Sequence, residues 1–470
     1  MSLHALQPES PRPMSIPDAL AALAPLLGPR LSTDRADRDA HGASESHFPP
    51  TPPDAVVWPD SAAEIAQILA ICNAQGCPVV AWGTGTSLEG HALAARGGIS
   101  LNLSRLDRVL EVRPEDAIAV VQPGITREVL DAHLRDSGLF FPVDPGANAS
   151  LGGMASTRAS GTTTVRYGTM RDGVRALQVA LADGRLIRTG SRAAKSSAGY
   201  DLTGLFVGAE GTLGILTELT LRLFPRPQAV SAAACAFATL EAAVETATLA
   251  GQMGLGLARM ELMDAASVRA VNAASHLGLP EAPHLLVEFH GSDAAVAEDA
   301  ETFAEIARET GGTGVRTATR TEDRTALWEM RHRAYWSILA SRPGSRAVVT
   351  DVCVPVSRLA EAIAETQADI AASGLPGPIL GHVGDGNFHA ILLLDDSRPD
   401  ERAAALDLSA RMADRALRLG GTVTGEHGIG MGKLGYMERE HGPAWEVMGA
   451  LKAALDPKGI LNPGKLVRQP

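Results

Sequence analysis

The chain has 470 residues, enough for two or three domains and a core around a large ligand, which excludes a small stapled scaffold. Hydrophobic residues at 45% and charged residues at 20% describe a globular protein rather than a disordered one. Forty-two Lys and Arg against 54 Asp and Glu give a formal charge of -12, a field that repels a phosphate backbone and sets nucleic acid aside as a partner.

Met1–Pro13 lacks the basic-then-apolar order of a signal peptide, and no apolar run is long enough to span a bilayer. The cysteines Cys72, Cys77, Cys235 and Cys353 fit neither iron–sulfur nor structural zinc spacing and read as reduced, buried thiols. The expectation is a cytoplasmic protein with no transmembrane segment, peripheral attachment at a membrane being left open.

Residues 1–51 read as an arm packed on the surface, with one apolar pattern from Ile16 to Leu27. A capping box of Ser61 and Glu64 then opens a helical stripe (Ile65, Ile68, Leu69, Cys72) that Gly76 closes. The apolar strand Pro78–Trp82 runs straight into Gly83-Thr84-Gly85-Thr86-Ser87. Short strands follow near Ile99–Leu103, Val109–Val112 and Ala117–Val121, then a helix over Thr126–Leu134 and a glycine-rich tract from Pro142 to Gly168. Past Val230 the units lengthen. Helices are expected at Leu240–Gln252, Asp293–Thr310 and Ser357–Ala371, and strands at Leu285–Phe289 and Val348–Val354. A helix over Trp445–Leu455, stopped by Asp456-Pro457, leaves a structured tail. The chain divides into the arm, residues 52–227, a second α+β unit over 228–430, and a returning segment 431–470.

Three tracts crowd glycine with small hydroxyl residues: 83–87, 148–154 and 208–215. None is GxGxxG or a P-loop, so a nicotinamide fold and a nucleoside-triphosphate site are unsupported. Such tracts can be turns, but they also offer the unshielded N–H and O–H donors that a pyrophosphate needs.

These tracts, with Arg166-Tyr167-Gly168-Thr169-Met170-Arg171-Asp172, resemble the FAD signature of the vanillyl-alcohol-oxidase type of flavoproteins. Within that group, Thr350-Asp351-Val352-Cys353-Val354-Pro355, Gly381 to His389 and Thr424 to Gly430 are similar to FAD-linked D-lactate dehydrogenases and glycolate oxidase flavin subunits. The resemblance implies an α+β fold: a two-subdomain FAD-binding domain plus an antiparallel, ferredoxin-like substrate cap. It implies that Gly83, Thr84, Gly85, Thr86 and Ser87, with Pro142, Asp144, Gly152, Gly153, Ser156 and Gly161, hold the FAD diphosphate. It also implies that Gly211, Gly214 and Ile215 lie along the adenosine, and that Asn462 approaches the flavin. Some relatives tether FAD through a His in the first loop. The loop here has none, so the flavin should be non-covalent.

His382 and His389 are seven apart, which suits neither an i, i+4 helical pair nor one face of a single strand. With Asp385-Gly386 as a two-residue turn, they become directly opposed across a hairpin and can grip one ion, or they merely flank a turn. Glu426 adds a carboxylate, and two His with one Glu make an open, catalytic type of metal shell, suited to zinc or manganese. His427 is the candidate base, its alternative being a core histidine bonded to backbone. Arg331 occupies the family position for gripping the substrate carboxylate.

The implied activity is FAD-dependent oxidation of a small D-2-hydroxy acid, D-lactate foremost, with electrons passed to a quinone, cytochrome c or an electron-transfer flavoprotein. Val348-Val349 stand where dicarboxylate-using relatives carry a Lys, which favours a monocarboxylate. Alternatives are a flavin subunit of a glycolate-oxidising complex and a silent flavin-binding scaffold. A homodimer is left open.

Overall fold

The computed structural model describes residues 15–468, so the reading of Met1–Pro13 lies outside the described residues. Helix Ile16–Leu27 buries Ala19, Leu23 and Leu27 in the same cluster as Ile65, Ile68 and Leu69. Leu31–Ser32 pairs antiparallel with Ala55–Val57. The described part of the arm therefore does more than lie on the surface: it supplies core residues and an edge strand. Ala55–Val57, Ile99–Asn102 and Val79–Trp82 complete this four-stranded sheet as a parallel set.

Helix Ala62–Gln75 begins where Ser61 Oγ accepts the Glu64 N–H at 3.2 Å and ends at Gly76, φ 67°. The expected capping box is half formed. The Glu64 carboxylate takes the Asp60 N–H at 2.7 Å and pairs with Arg30, a charge-assisted contact that outcompetes the Ser61 amide.

A second sheet is antiparallel throughout, in the order Val109–Arg113, Ile118–Val121, Ile215–Arg222, Val174–Ala180, Leu186–Gly190. The tail joins these two layers. Leu461 forms a parallel bridge with Val79, and Lys452 Nζ, 1% exposed, donates to Asp456 Oδ2 at 2.5 Å and to the carbonyls of Thr212 and Leu461, each at 2.7 Å.

The third sheet has eight strands. Thr313–Ala318, Ala229–Ala236, His284–Gly291 and Leu257–Met263 lie side by side with every neighbour antiparallel, the ferredoxin-like order. Ile379–Gly381, Asn387–Leu394 and Arg346–Val349 extend it, and Val352–Cys353 pairs beside them. Strand alternation divides its two faces. Ala233 and Cys235 pack with helices Leu240–Gln252 and Asp293–Glu309, whereas Ala232 and Ala234 pack with Ala265–Ser275 and Thr321–His332. The expected α+β architecture is thus present.

The single strand expected over Val348–Val354 is broken. Thr350 still donates its N–H to the Ala390 carbonyl at 3.0 Å, but its own carbonyl is turned to His389 Nδ1 and the Asp351 side chain accepts a whole loop, which interrupts the ladder there.

Candidate active site

A cavity of about 1000 Å³ is walled by residues of the three large sheets and their loops. Gly83, Thr84, Gly85, Thr86 and Ser87 line it directly after strand Val79–Trp82, as do Pro142, Asp144, Gly152, Gly153 and Ser156. Gly211, Gly214, Ile215 and Asn462 line it too. Gly161 does not. A Cβ there would sit 2.4 Å from the Asp144 carbonyl oxygen, so its smallness serves loop packing rather than the wall.

The other glycines divide in the same way. A Cβ on Gly83 would reach Ser150 Oγ at 2.2 Å, and one on Gly152 would reach Pro123 Cβ at 2.5 Å. By contrast, one on Gly153 meets only Ser150 Oγ at 3.0 Å, and one on Gly211 (φ +71°) meets nothing nearer than 3.8 Å. Those two face open space that a ligand can fill. Asp144 is spent on the protein: its carboxylate accepts from Thr162 Oγ1, Thr163 N and Thr163 Oγ1 and pairs with Arg259 at 3.2 Å. Asn462 is held by its Nδ2 donating to the Glu210 carbonyl at 2.6 Å and its Oδ1 accepting from Lys465 Nζ at 2.6 Å.

On the cap side, the hairpin register differs from the expected one. Leu380 pairs with His389, and the His382 carbonyl accepts the Asn387 amide, so the turn is Val383 to Gly386 rather than Asp385-Gly386 alone. A slip of two residues keeps side chains on the same face. His382 and His389 are therefore diagonal neighbours, with ring centroids 5.8 Å apart. Glu426 joins them: its Oε1 lies 3.4 Å from His382 Nε2 and 3.3 Å from His389 Nε2, and the candidate ligand atoms fall within 4.8 Å of one another.

Both imidazoles are turned by their other nitrogen. His389 Nδ1 meets the Thr350 carbonyl at 2.9 Å, and His382 Nδ1 meets Glu261 Oε1 at 2.5 Å. The hydrogen-bond network thus assigns the proton to Nδ1 and the lone pair to Nε2, the arrangement that orients histidine ligands. Glu426 Oε2 accepts Ser160 Oγ at 2.9 Å. Burial opposes charge on His382, yet the carboxylates of Glu261 and Glu426 outweigh it and hold its pKa well above the usual value. This site calls for positive charge.

The Thr424–His427 loop is gathered by Asp351 Oδ2, which accepts Thr424 Oγ1 at 2.7 Å and the amides of Gly425, Glu426 and His427 at 2.9 to 3.0 Å. His427 stacks on His389 with 14° between the rings, and its Nδ1 is buried without a hydrogen-bond partner. Burial takes the His427 imidazole down to about 4, so it is neutral at ordinary pH. Arg331 lines the same cavity, its Nε donating to Glu261 Oε2 at 2.7 Å.

Sequence reading missed Glu261, Ser160 and the role of Asp351. A lone acid in the apolar strand Leu257–Met263 carries no motif, and Ser160 sits next to a glycine assigned to the diphosphate.

Glycine-walled space beside a His-His-Glu cluster, closed by a ferredoxin-like sheet, defines a flavin-dependent oxidoreductase. Residues 226–466 match the C-terminal domain of FAD linked oxidases, and residues 53–190 match an FAD binding domain. The chain belongs to the FAD-linked oxidase family and binds FAD.

It is 46% identical over 441 residues to "Probable D-lactate dehydrogenase, mitochondrial" of Danio rerio, covering 93% of this chain and 89% of that one. It is 43% identical over 453 residues to "D-lactate dehydrogenase [cytochrome], mitochondrial" of Arabidopsis thaliana, covering 96% and 80%. The fold resembles 4-ethylphenol oxidase from Gulosibacter chungangensis with TM-score 0.76 at 20% identity, covering 96% and 97% of the two chains.

These names correct the cytoplasmic expectation: the relatives from Danio rerio and Arabidopsis thaliana are mitochondrial proteins. Charge and cysteine usage do not separate one reducing compartment from another. Among the described residues, no helix is long and apolar enough to cross a membrane.

Proposed function

We propose that the chain oxidises a small D-2-hydroxy monocarboxylate, D-lactate foremost, to its 2-oxo acid and passes the electrons to an external acceptor. The observation that carries this reading is the meeting, in one cavity, of the glycine tracts, Arg331, the His382–His389–Glu426 cluster and His427, whose Nδ1 is buried without a partner. The names of the Danio rerio and Arabidopsis thaliana relatives support the substrate, and the second supports a cytochrome as acceptor.

FAD, when bound, supplies the hydride acceptor. Gly153 and Gly211 leave the room it needs, Thr84, Thr86 and Ser87 offer hydroxyls for its diphosphate while Ser156 donates its own to the Gly152 carbonyl, and no His lies in the first loop to tether it. A divalent ion, zinc or manganese, fits the two Nε2 atoms and the Glu426 carboxylate, and when bound it supplies Lewis acidity toward the substrate hydroxyl.

The chain's own residues do the rest. Arg331 offers its two Nη groups to the substrate carboxylate, Glu261 having engaged Nε. His427 takes the hydroxyl proton, as its neutral, buried imidazole allows. Arg259 already stands between Asp144 and Glu288, which leaves it unsuited to a second carboxylate, and Val349, Leu380 and Ile391 offer an apolar surface for a short tail. We divide the chain functionally at Pro227, the FAD-holding part being completed by the segment after residue 430.

A steady-state screen of the purified, FAD-loaded chain with a dye acceptor tests this. D-lactate should show the highest kcat/KM among D-lactate, L-lactate, glycolate and D-2-hydroxyglutarate. Preference for the dicarboxylate would overturn the monocarboxylate assignment, and turnover appearing only after a redox partner is added would favour a glycolate-oxidising complex.

A further inference from the structure

The carboxylate of Glu261 is fully buried at the middle of strand Leu257–Met263, flanked in sequence by Met260 and Leu262, which pack into the core. Its two oxygens serve two different groups: Oε2 accepts Arg331 Nε at 2.7 Å and Oε1 accepts His382 Nδ1 at 2.5 Å. These partners lie 70 and 121 residues away in sequence, on a helix and at a hairpin. Packing does not account for such a residue. Replacing a buried ion group with an apolar side chain of similar volume is often neutral or stabilising.

We infer that Glu261 is a positioning residue that locks the carboxylate anchor Arg331 and the ion ligand His382 into one rigid unit, an inference that rests on the hydroxy-acid reading for the role of Arg331. A carboxylate is an acceptor only, so each partner must bring the hydrogen. His382 is thereby fixed with its proton on Nδ1 and its lone pair on Nε2 toward Glu426 and His389. Arg331 is held by Nε, which sets the plane of its guanidinium and so the direction of the Nη pair. One acid thus aligns both ends of a 2-hydroxy acid: the carboxylate through Arg331 and the hydroxyl through the ion.

Glu261→Gln separates this role from a filling role because it preserves shape while offering one acceptor and one donor. With its carbonyl toward Arg331, its N–H faces His382 Nδ1 and drives the imidazole proton to Nε2, removing the ligand lone pair. With the carbonyl toward His382, the amide N–H faces Arg331 Nε–H. Either way one contact is lost.

The test uses FAD-loaded protein, zinc affinity by chelator competition, and KM and kcat for D-lactate. Glu261→Gln should retain wild-type FAD content and bind zinc about 10–100-fold more weakly, with a raised KM. The KM increase should not be compounded by adding Arg331→Lys. Wild-type zinc affinity and wild-type KM together in Glu261→Gln would overturn the inference while leaving the hydroxy-acid reading standing. Conversely, a wild-type chain that binds zinc but oxidises no 2-hydroxy acid would overturn that reading, with the zinc measurement still deciding the role of Glu261. If Glu261→Gln does not fold, the histidine ¹⁵N shifts of the zinc-loaded wild type decide: His382 must carry its proton on Nδ1, and a bare Nδ1 overturns the inference.

Discussion

Asp351 Oδ2 accepts the backbone N–H of His427 at 2.9 Å, and the same oxygen holds the three residues before it. One buried carboxylate therefore fixes the backbone that carries both a candidate ion ligand and the candidate base. Its charge is answered by Lys433, whose Nζ donates to the Asp351 carbonyl at 2.8 Å and lies 3.5 Å from its Oδ2.

Replacing Asp351 by Asn leaves Lys433 with only the Glu89 carboxylate, 3.5 Å away, as its anion and turns part of the acceptor that gathers the loop into a donor. Breaking a buried ion pair in this way costs about 3–5 kcal/mol. Thermal unfolding of Asp351→Asn should show a lowered Tm together with loss of the bound ion; a wild-type Tm would mean that the loop is held by other contacts.

His427 and Arg331 act at different points and should fail differently. Removing a general base costs roughly 10²–10⁴ in rate, so His427→Asn should lower kcat steeply with little change in KM. Arg331→Lys keeps charge but loses the two-pronged geometry, so KM for D-lactate should rise, with a smaller loss of kcat from misalignment. Steady-state kinetics separates the two patterns. Small, equal effects would mean that neither side chain meets the substrate.

The candidate ion ligands and the glycine tracts lie on different walls of the cavity. His382→Ala, His389→Ala and Glu426→Gln should each lose the ion and most activity while keeping stoichiometric FAD, as read by metal analysis beside the flavin spectrum. Full ion occupancy in all three variants would sink the ligand assignment.

The flavin should leave the polypeptide on denaturation, since the Gly83–Ser87 loop has no histidine. Gly153→Val should abolish FAD binding without unfolding the chain, because the added methyls enter the cavity rather than a packed neighbour. Yellow colour that stays with the denatured polypeptide would refute the first expectation, and normal FAD content in Gly153→Val the second.

The sequence carried much of this fold because the signals were local. Ser61, Gly76, Thr126 and Asp456-Pro457 end their helices within a few residues of where periodicity puts them. The cluster of His382 and His389 was legible for a subtler reason: the hairpin register was misread by two residues, and the pleat forgives an even slip. Glu261 was not legible. Its identity as a functional acid arises only when a helix and a hairpin 70 and 121 residues away converge on its strand. Asp351 was read inside a strand because its neighbours are apolar, whereas four hydrogen-bond donors from a distant loop pull it out.

Lys452 is the charge whose loss should be felt farthest from it. Lys452→Met leaves Asp456 buried without its cation and frees the carbonyls of Thr212 and Leu461, a loss of about 3–5 kcal/mol. Weakened FAD retention should accompany the lower Tm, and a variant with the wild-type FAD dissociation constant would argue against the coupling.

That joint between the tail and the first sheet also orders events in time. Lys465 grips the carbonyl of His91 across 374 residues of chain, and Asn462 docks on Val79 and Glu210. A nascent chain still lacking its last few dozen residues inside the ribosome has every glycine tract and the whole cap, yet it has no closed wall around the cavity. Flavin capture should therefore wait until the segment around Leu461–Lys465 has emerged and docked, and a chain clipped before Leu461 should be isolated without flavin colour.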